Sequence, residues 1–452
     1  MSSSRRATRR SSSKEAVIRP ALLRQVPPGL RPLQHRDFRL YWAGYGVSNT
    51  GTWIETTGVV WTVYALTDSP AMFGMVGLAR AIPFITLSPI AGVCADRVDR
   101  RRLLFATQGT SMVLSAWLAV TIASGHVQLW QIFLQVSMQA GVRAFDASAR
   151  NALFPELVPR ERLSDAVTLT FFAGRSSAFI GPIIGGIAIA RLGSGAPWLL
   201  NAVSSFVLMF AVRQMRPVSG EARPRTQLRT DVLEGIRFVT RTPILRGLIL
   251  MEIILGVFQV NEVIITIIAS DVLHTGPEGL GLLLSASALG SIAGVMALLL
   301  YRNVTRKGRF VLACLIMYGL ALCLLSSARS FWTAFAVLVV LGLLDSFASV
   351  TRSSIVQELT PSEMRGRVLG VTLTITGGVS PLAQAQSGLL TGALSGPLAL
   401  AASGVGLCVA GATVRFRIPE LWSYGHRDAQ PALPSTDLQD AQLTRGREGA
   451  PK

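Results

Sequence analysis

Lysine is nearly absent from this sequence, which has 43 basic residues among 452 but only three lysines, Lys14, Lys307 and Lys452. A phosphate-binding loop requires a glycine-rich turn that ends in lysine, and none of the three follows such a turn. The sequence therefore argues against nucleotide-driven chemistry within this chain. An ATP-powered step would need a separate subunit.

Cysteine and histidine are also scarce, with four of each. The cysteines lie in or beside apolar segments without the paired spacing of a disulfide or zinc site, and the histidines are scattered. A metal centre needs several such side chains at ligand spacing. We therefore expect neither a metal nor a cofactor. We interpret the cysteines as packing residues, at Cys94, Cys314, Cys323 and Cys408.

Charged residues make up only 15% of the chain, whereas 50% of the residues are hydrophobic. A soluble protein carries about a quarter charged residues. The net charge of +18 does not indicate nucleic-acid binding, because the arginines lie in short clusters between apolar stretches rather than on one water-facing surface. This distribution is typical of an integral membrane protein.

Apolar segments of bilayer length recur along the chain, since a membrane-spanning helix needs about 20 mostly apolar residues. Arginine clusters follow the even-numbered segments, and the connections after odd-numbered segments are short and nearly free of basic residues. The positive-inside rule then predicts cytosolic termini and a multi-pass protein of the cytoplasmic membrane. The twelve predicted spans are residues 40–66, 72–95, 103–124, 128–148, 164–190, 197–213, 244–270, 278–300, 309–327, 331–351, 367–391 and 397–414.

The longest internal connection separates the spans into two sets of six. A shift of 202 residues lays 150–161 on 352–363 with five identities in twelve positions, and 91–93 on 293–295. Parallel repeats of six helices are a transporter architecture with the solute site between the halves. The predicted all-α organisation is a disordered basic cytosolic tail at 1–38, a six-helix bundle at 39–213, a cytosolic linker at 214–243 with an amphipathic piece at 230–240, a second bundle at 244–414 and a disordered cytosolic tail at 415–452.

The connection after the second span, residues 92–102, reads Gly-Val-Cys-Ala-Asp-Arg-Val-Asp-Arg-Arg-Arg. It resembles the signature loop of the major facilitator superfamily, Gly-x-x-x-Asp-Arg-x-Gly-Arg-Arg/Lys, with Asp99 where glycine is common. The resemblance implies two six-helix bundles that rock around a central cavity.

Further segments resemble the enterobactin-exporter branch of that superfamily, which includes multidrug efflux types. They are residues 36–40, 155–159, Arg175 and 181–186, and the likeness covers about residues 33–415. This implies export of a small amphipathic solute, drug-like or siderophore-like. Small residues in the fifth span allow tight helix contact and proline allows a bend. This helix-packing motif is Gly181, Pro182, Gly185 and Gly186.

The signature loop is the predicted gate. Gly92 allows another helix to approach closely, and Asp96 at a helix end can cap a helix N-terminus, where backbone amides are unsatisfied. The resemblance implies that this partner is the start of span eleven, near Arg367, and that Arg100 steadies the carboxylate. Alternatively, the arginines only fix topology, which is our interpretation of Arg101 and Arg102. The predicted gating residues are Gly92, Asp96, Arg97 and Arg100.

Ionisable side chains within the spans are costly in lipid and usually face a cavity. A proton-driven exporter needs a buried carboxylate for which solute and proton compete. Glu55 is the first candidate because no cation lies within one helical turn, and Asp146 is the second, close enough to Arg143 to pair. Either could instead be a structural link. The cavity candidates are Asn49, Arg80, Arg143, Arg175, Glu252, Gln259, Asp345 and Gln384.

The leading hypothesis is a monomeric proton-coupled exporter, with a small solute, protons and the lipid bilayer as its partners. An uptake symporter or a lipid-moving protein on the same fold is the nearest alternative. A non-transporting membrane sensor is an alternative of another class. An enzyme is not expected, because no nucleophile–base pair or metal set has recognisable spacing. Solute identity follows cavity side chains rather than the fold.

Overall fold

The computed structural model describes residues 28–67, 69–216, 228–300, 305–361 and 364–425. Within these ranges the chain forms helices and short connections, and no described residue lies in a strand. The predicted disordered tails fall largely outside the described residues, as do 217–227 of the predicted linker and both termini.

A helix occupies each of the first six predicted spans. They follow a short 3₁₀ helix at Pro28–Gln34 and are α1 Arg36–Thr67, α2 Pro70–Arg97, α3 Arg100–Ala123, α4 Leu129–Leu153, α5 Leu163–Leu192 and α6 Ala196–Gln214. Two single 3₁₀ turns, Phe154–Glu156 and Arg160–Arg162, connect α4 to α5.

The second half begins with the predicted amphipathic piece, which is a helix. Its elements are α7 Leu228–Arg241, α8 Pro243–Phe258, α9 Glu262–Ile267 with a π-helical turn at Ile268–Val272, α10 Pro277–Leu300, α11 Lys307–Ser326, α12 Phe331–Leu359, α13 Arg365–Ala393, α14 Gly396–Arg417 and α15 Pro419–Ser423.

Nine helical segments among the described residues are long and apolar enough to cross a membrane, if the stretch from α8 to the π turn is counted as one. Helices α1, α4 and α13 coincide with the other three predicted spans and do not meet that criterion of length and composition. Helices α1 and α4 hold buried polar side chains, among them Ser48, Glu55 and Gln135, which lower their apolarity.

Asp99 of the signature loop, where glycine is common, has a structural role at the start of α3. The Asp99 carboxylate accepts hydrogen bonds from the backbone amides of Arg101, at 2.9 Å, and Arg102, at 3.0 Å. An N-terminal cap of this kind satisfies two amides that have no partner inside the helix. Asp99 therefore stabilises the N-terminus of α3.

Span seven was predicted as one helix, and the structure interrupts it. Helix α8 ends at Phe258, and α9 begins at Glu262. The side chain of Asn261 accepts hydrogen bonds from the amides of Val263 and Ile264, which makes it the cap of a new helix. Broken helices in membrane proteins occur where the backbone borders protein or a cavity.

The helical part of the chain extends beyond both predicted tail boundaries, residues 38 and 415. Phe38 is fully buried in an apolar cluster with Tyr41 and Leu104, so helix α1 begins before residue 39. At the other end, α15 places Leu421 in the larger apolar cluster, and the Tyr424 hydroxyl donates to Glu358 at 3.2 Å. Apolar burial holds both segments against the helices.

Helices α1 to α6 are called the first group and helices α8 to α14 the second group. Within the first group α1 contacts α5 and α6, α2 contacts α4, and α3 contacts α4 and α6. Within the second group α10 contacts α12, α11 contacts α12 and α14, and α8 contacts α13 and α14. Between the groups the main contacts are α5 with α10 and α2 with α13.

The molecule has two distinct ends. We name the end with the α2–α3 connection and the start of α13 the arginine-rich end, and the other the opposite end. The opposite end joins the two groups: the Tyr64 hydroxyl donates to Asp271 at 2.5 Å, and Arg191 pairs with Glu278 at 3.6 Å. Added Cβ atoms at Gly74 and Gly186 would press on backbone of the other group. The groups therefore meet tightly at this end.

Candidate functional site

A cavity of about 480 Å³ lies between the two groups of helices. Its wall comes mainly from α1, α2 and α4, and the second group adds Glu262 from α9 and Gln384 from α13. Trp53 and Phe84 provide aromatic surface. Small-molecule sites have volumes of about 300–1,000 Å³, so this cavity can hold a drug-sized solute.

Glu55 lies in the wall of this cavity and is 2% exposed. One carboxylate oxygen accepts a hydrogen bond from Gln135 Nε2 at 2.5 Å. The other accepts from Asn201 Nδ2 and, at 3.4 Å, from the Ser115 hydroxyl. Helices α3, α4 and α6 therefore position this side chain of α1, and each of these described donors is uncharged.

Asp146 also lines the cavity, but its partners differ from the predicted ones. The sequence suggested a pair with Arg143, whereas Asp146 pairs with Arg150 at 2.5 Å, one turn further along α4. Its second oxygen accepts from Gln108 Nε2 at 2.7 Å and Thr107 at 3.2 Å. The two donors of α3 thus bind one carboxylate oxygen of Asp146, and Arg150 binds the other.

Arg80 of α2 and Arg143 of α4 face the same cavity. Neither guanidinium makes an ion pair or a hydrogen bond with any part of the chain that the structure describes. Asn49 of α1 is a third predicted residue in this wall, and its amide donates to the carbonyl of Gly174 at 3.5 Å. Gln384 donates to Glu262 at 3.0 Å.

A second cavity, of about 340 Å³, lies beside the first and shares Trp53 and Glu262 with it. Arg175, Gln259 and Asp345 line it. The Arg175 guanidinium lies over the Phe171 ring at 5.2 Å and donates to Ser291 at 3.5 Å.

Glu252 lies in a small pocket of about 40 Å³ with Gln259 and Asp345. Its carboxylate pairs with Arg352 of α12 at 2.5 Å. The sequence assigned Arg352 to a connection after a span ending at residue 351, but α12 continues to Leu359 and Arg352 is only 7% exposed. The ion pair compensates the charge of Arg352 within the helix.

The signature loop makes contacts that the sequence did not predict. Arg100 pairs with Glu156. Arg101 donates through Nε to the carbonyl of Val212 at 2.7 Å. Arg101 therefore links α3 to the end of α6 in addition to contributing positive charge. Arg97 is exposed, and the Asp96 side chain lies outside what the structure describes. At Gly92 an added Cβ would meet nothing within 4 Å.

The start of α13, the expected partner of the loop, also contacts the linker helix α7. Arg367 pairs with Glu234 of α7, and Gly235 of the same helix packs against the Arg367 carbonyl. The linker helix therefore contacts the position at which Asp96 was expected to bind.

The helix-packing motif of α5 lies against two different helices. Gly181 and Gly185 face Trp53 and Thr57 of α1, so close that a Cβ would collide. Gly186 faces the Pro277 carbonyl at the start of α10, and the Pro182 carbonyl faces Gly281 of α10. The motif thus serves both packing within the first group and contact between the groups.

Several site residues were not singled out as candidates from the sequence. Asn201 is the clearest, because it is 1% exposed and binds both Glu55 and, at 2.9 Å, Ser115. An asparagine within an otherwise apolar span was the available signal. Glu262, Arg150 and Arg352 stood out as charged residues, but nothing in the sequence indicated which helices they face.

The family described as "Transmembrane secretion effector" matches residues 28–445. The chain belongs to this family of major facilitator superfamily transporters. A relative from Bacillus subtilis, named an uncharacterized MFS-type transporter YfiS, is 25% identical over 365 residues, which cover 77% of this chain and 85% of that protein. The enterobactin exporter EntS of Shigella boydii is 25% identical over 407 residues, which cover 89% and 96%.

Solved structures of facilitator transporters have the same fold. The nucleoside transporter NupG matches with a TM-score of 0.62 at 12% identity, covering 88% of this chain and 100% of that one. A bacterial homolog to the human lysosomal transporter Spinster, in an inward-facing and unoccupied conformation, matches with a TM-score of 0.64 at 13% identity, covering 86% and 95%. Membership of the transporter family makes the chain a multi-pass membrane protein with a small molecule as its substrate.

Proposed function

We propose that this transporter exports a small amphipathic solute across the cytoplasmic membrane in exchange for protons, as a monomer. Helices α1, α4 and α13 complete a set of twelve spans, the arginine-rich end faces the cytosol with both termini, and the two groups are bundles that alternate access. The observation that carries this proposal is the cavity between the groups, which holds Glu55 in its wall while the opposite end is closed. A solute would then enter from the cytosol.

Two further observations support export. The relative EntS is named an enterobactin exporter, and the glycine-proline segment of α5 lies at the contact between the groups. The proton is assigned to a carboxylate because Glu55 is buried beside the cavity and forms no ion pair among the described residues. Peptide and nucleoside transporters share the fold, so direction has to be measured.

Inside-out membrane vesicles that overproduce the protein provide the test. Respiration acidifies their lumen, and a pH-sensitive acridine dye reports the gradient. When candidate solutes are added outside, at the cytosolic face, an exchanger moves solute inward and protons outward, so the dye signal recovers and solute accumulates. A symporter for uptake gives no recovery, because its protons leave the lumen only together with solute, and the solute was added outside.

Vesicles without the protein control for solutes that dissipate the gradient by themselves. Recovery that depends on both the protein and the solute supports export. Solute accumulation that is unchanged when the pH gradient is collapsed would contradict proton exchange. Solute uptake only in right-side-out vesicles would reverse the direction.

A further inference from the structure

Two positively charged side chains of the central cavity form no ion pair among the described residues. Arg80 and Arg143 line it from neighbouring helices, and neither forms an ion pair or a hydrogen bond within the described residues. The two charges repel each other, while Glu55 and Glu262 attract Arg80 and Glu55 attracts Arg143 without forming an ion pair. Because neither guanidinium donates a hydrogen bond to the described chain, the donors of both are available to a ligand in the cavity.

The acidic residues of the same wall are already bound by other groups. Both oxygens of Glu55 accept hydrogen bonds from uncharged donors, and those of Asp146 accept from Arg150 and two residues of α3. Glu262 accepts from Gln384. None of these carboxylates lies within 4 Å of the guanidinium nitrogens of Arg80 or Arg143 in the described chain. The donor groups of the two arginines therefore stay available.

The rest of the wall indicates what the ligand carries besides its charge. Trp53 and Phe84 present aromatic rings, and Val59 and Val136 add aliphatic surface. An arginine fork matches the planar geometry of a carboxylate or another oxyanion and binds it with two hydrogen bonds. An inorganic ion would leave the apolar wall uncovered.

We propose that Arg80 and Arg143 bind the oxyanion group of an organic anion whose apolar body packs against Trp53 and Phe84. This rests on the proposed transport function and names the chemical class of its solute. The two arginines then act as a specificity filter: a neutral analogue of the same size accepts only weaker hydrogen bonds from them, and a cationic analogue is repelled.

Three probes of nearly equal shape test this on the full-length protein in detergent at neutral pH. They are 1-naphthoate, 1-naphthamide and 1-naphthylmethylammonium, and calorimetric titration measures their affinities. We expect the anion to bind about tenfold or more tightly than the amide, as for charge-assisted hydrogen bonds. The cation should bind most weakly. Inorganic phosphate is an oxyanion without an apolar body. It should therefore not displace 1-naphthoate at equal concentration.

Arg80→Gln and Arg143→Gln should each weaken 1-naphthoate binding about tenfold and 1-naphthamide binding by much less. Arg329→Gln removes an exposed arginine at the opposite end and is the matched control. Equal affinity for anion and amide, no binding of any probe, or unchanged 1-naphthoate binding in both variants would overturn the proposal. Failure of either variant to fold would do so too, because the arginine would then be engaged by the protein itself.

This measurement needs no membrane and no proton gradient. Selective binding of the anion without gradient-driven transport would keep the site and reject the exporter. Proton-coupled export of neutral solutes with no preference for 1-naphthoate would keep the exporter and reject the anion site.

Discussion

At the residue scale, Glu55 is held in a way that suits repeated protonation. A carboxylate in an ion pair loses its partner when it takes up a proton, whereas the hydrogen-bond donors to Glu55 among the described residues are all uncharged. The carbonyl oxygen of Gln135 is buried and has no hydrogen-bond partner among the described residues. A rotation of that amide would present the oxygen to a protonated carboxyl group, so both states of Glu55 can be satisfied.

Glu55→Gln should therefore uncouple transport from the proton. We expect pH-driven efflux in inside-out vesicles to fall about tenfold or more, because the isosteric amide takes up no proton at neutral pH. Exchange of labelled for unlabelled solute needs no net proton movement and should persist. Glu161→Gln, at an exposed carboxylate, is the matched control. Undiminished proton-dependent efflux with normal expression would remove Glu55 from the coupling role.

The sequence predicted Glu55 as a candidate from its polar neighbours in α1, but it did not predict Asn201 as its partner. Sequence spacing defines which side chains share one helix face, whereas the contact of α1 with α6 arises only in the folded molecule. For Asp146 the spacing allowed Arg143 and Arg150 equally. In the structure Asp146 pairs with Arg150 and also accepts a hydrogen bond from α3. The spacing of residues within α4 does not predict a contact with another helix.

At the element scale, apolarity predicted where helices occur but not where they break. Residues 244–270 are apolar nearly throughout, so they were predicted as one helix, although Asn261 caps a new helix inside them. For the same reason span ten was predicted too short: Arg352 is charged, so it was assigned to the connection, whereas α12 continues to Leu359. The ion pair of Arg352 with Glu252 compensates the charge within the helix bundle.

Alanine substitutions at Gly186 and Gly92 should have opposite effects on how often the opposite end is open. A Cβ at Gly186 collides with the Pro277 backbone in the closed opposite end, whereas a Cβ at Gly92 has open space in this state. Overpacking costs about 1–3 kcal/mol. We therefore expect Gly186→Ala to open the opposite end, and Gly92→Ala to keep it closed by disfavouring close approach of the signature loop in the alternative state.

Spin labels at Ser124 and Ser330, which are exposed on different groups at the opposite end, measure this by their separation. Gly186→Ala should increase the population of long distances, and Gly92→Ala should decrease it. Gly46→Ala, where a Cβ also meets nothing within 4 Å, should leave the distribution unchanged. Identical distributions for Gly186→Ala and the unsubstituted protein would show that this contact does not hold the end closed.

At the scale of the whole molecule, one shift relates the two groups of helices. Moving α5, Leu163–Leu192, by 202 residues lays it on 365–394, against α13 at Arg365–Ala393, and α2 moves onto α10 in the same way. The contacts α5–α10 and α2–α13 are therefore equivalent. The sequence predicted this repeat from a few identities. It did not predict which end of the molecule is closed, because both states use the same residues.

Alternating access requires the closed opposite end to separate in every cycle, and a covalent link across it tests that requirement. A Cβ built on Gly392 of α13 lies 3.6 Å from the Cβ of Ala71 in α2, within the range of a disulfide. Ala71→Cys with Gly392→Cys, in a protein whose four cysteines are serine, should cross-link readily. Oxidation should stop solute transport, and reduction should restore it.

The two single-cysteine proteins, treated in the same way, should transport normally under both conditions. The oxidised protein should still bind solute from the arginine-rich end, because the cavity wall is formed by other residues. Binding without transport locates the block in the conformational step. Full transport by a completely cross-linked protein would mean that solute passes without separation of α2 from α13, and the molecule would then work as a channel or by movement within one group alone.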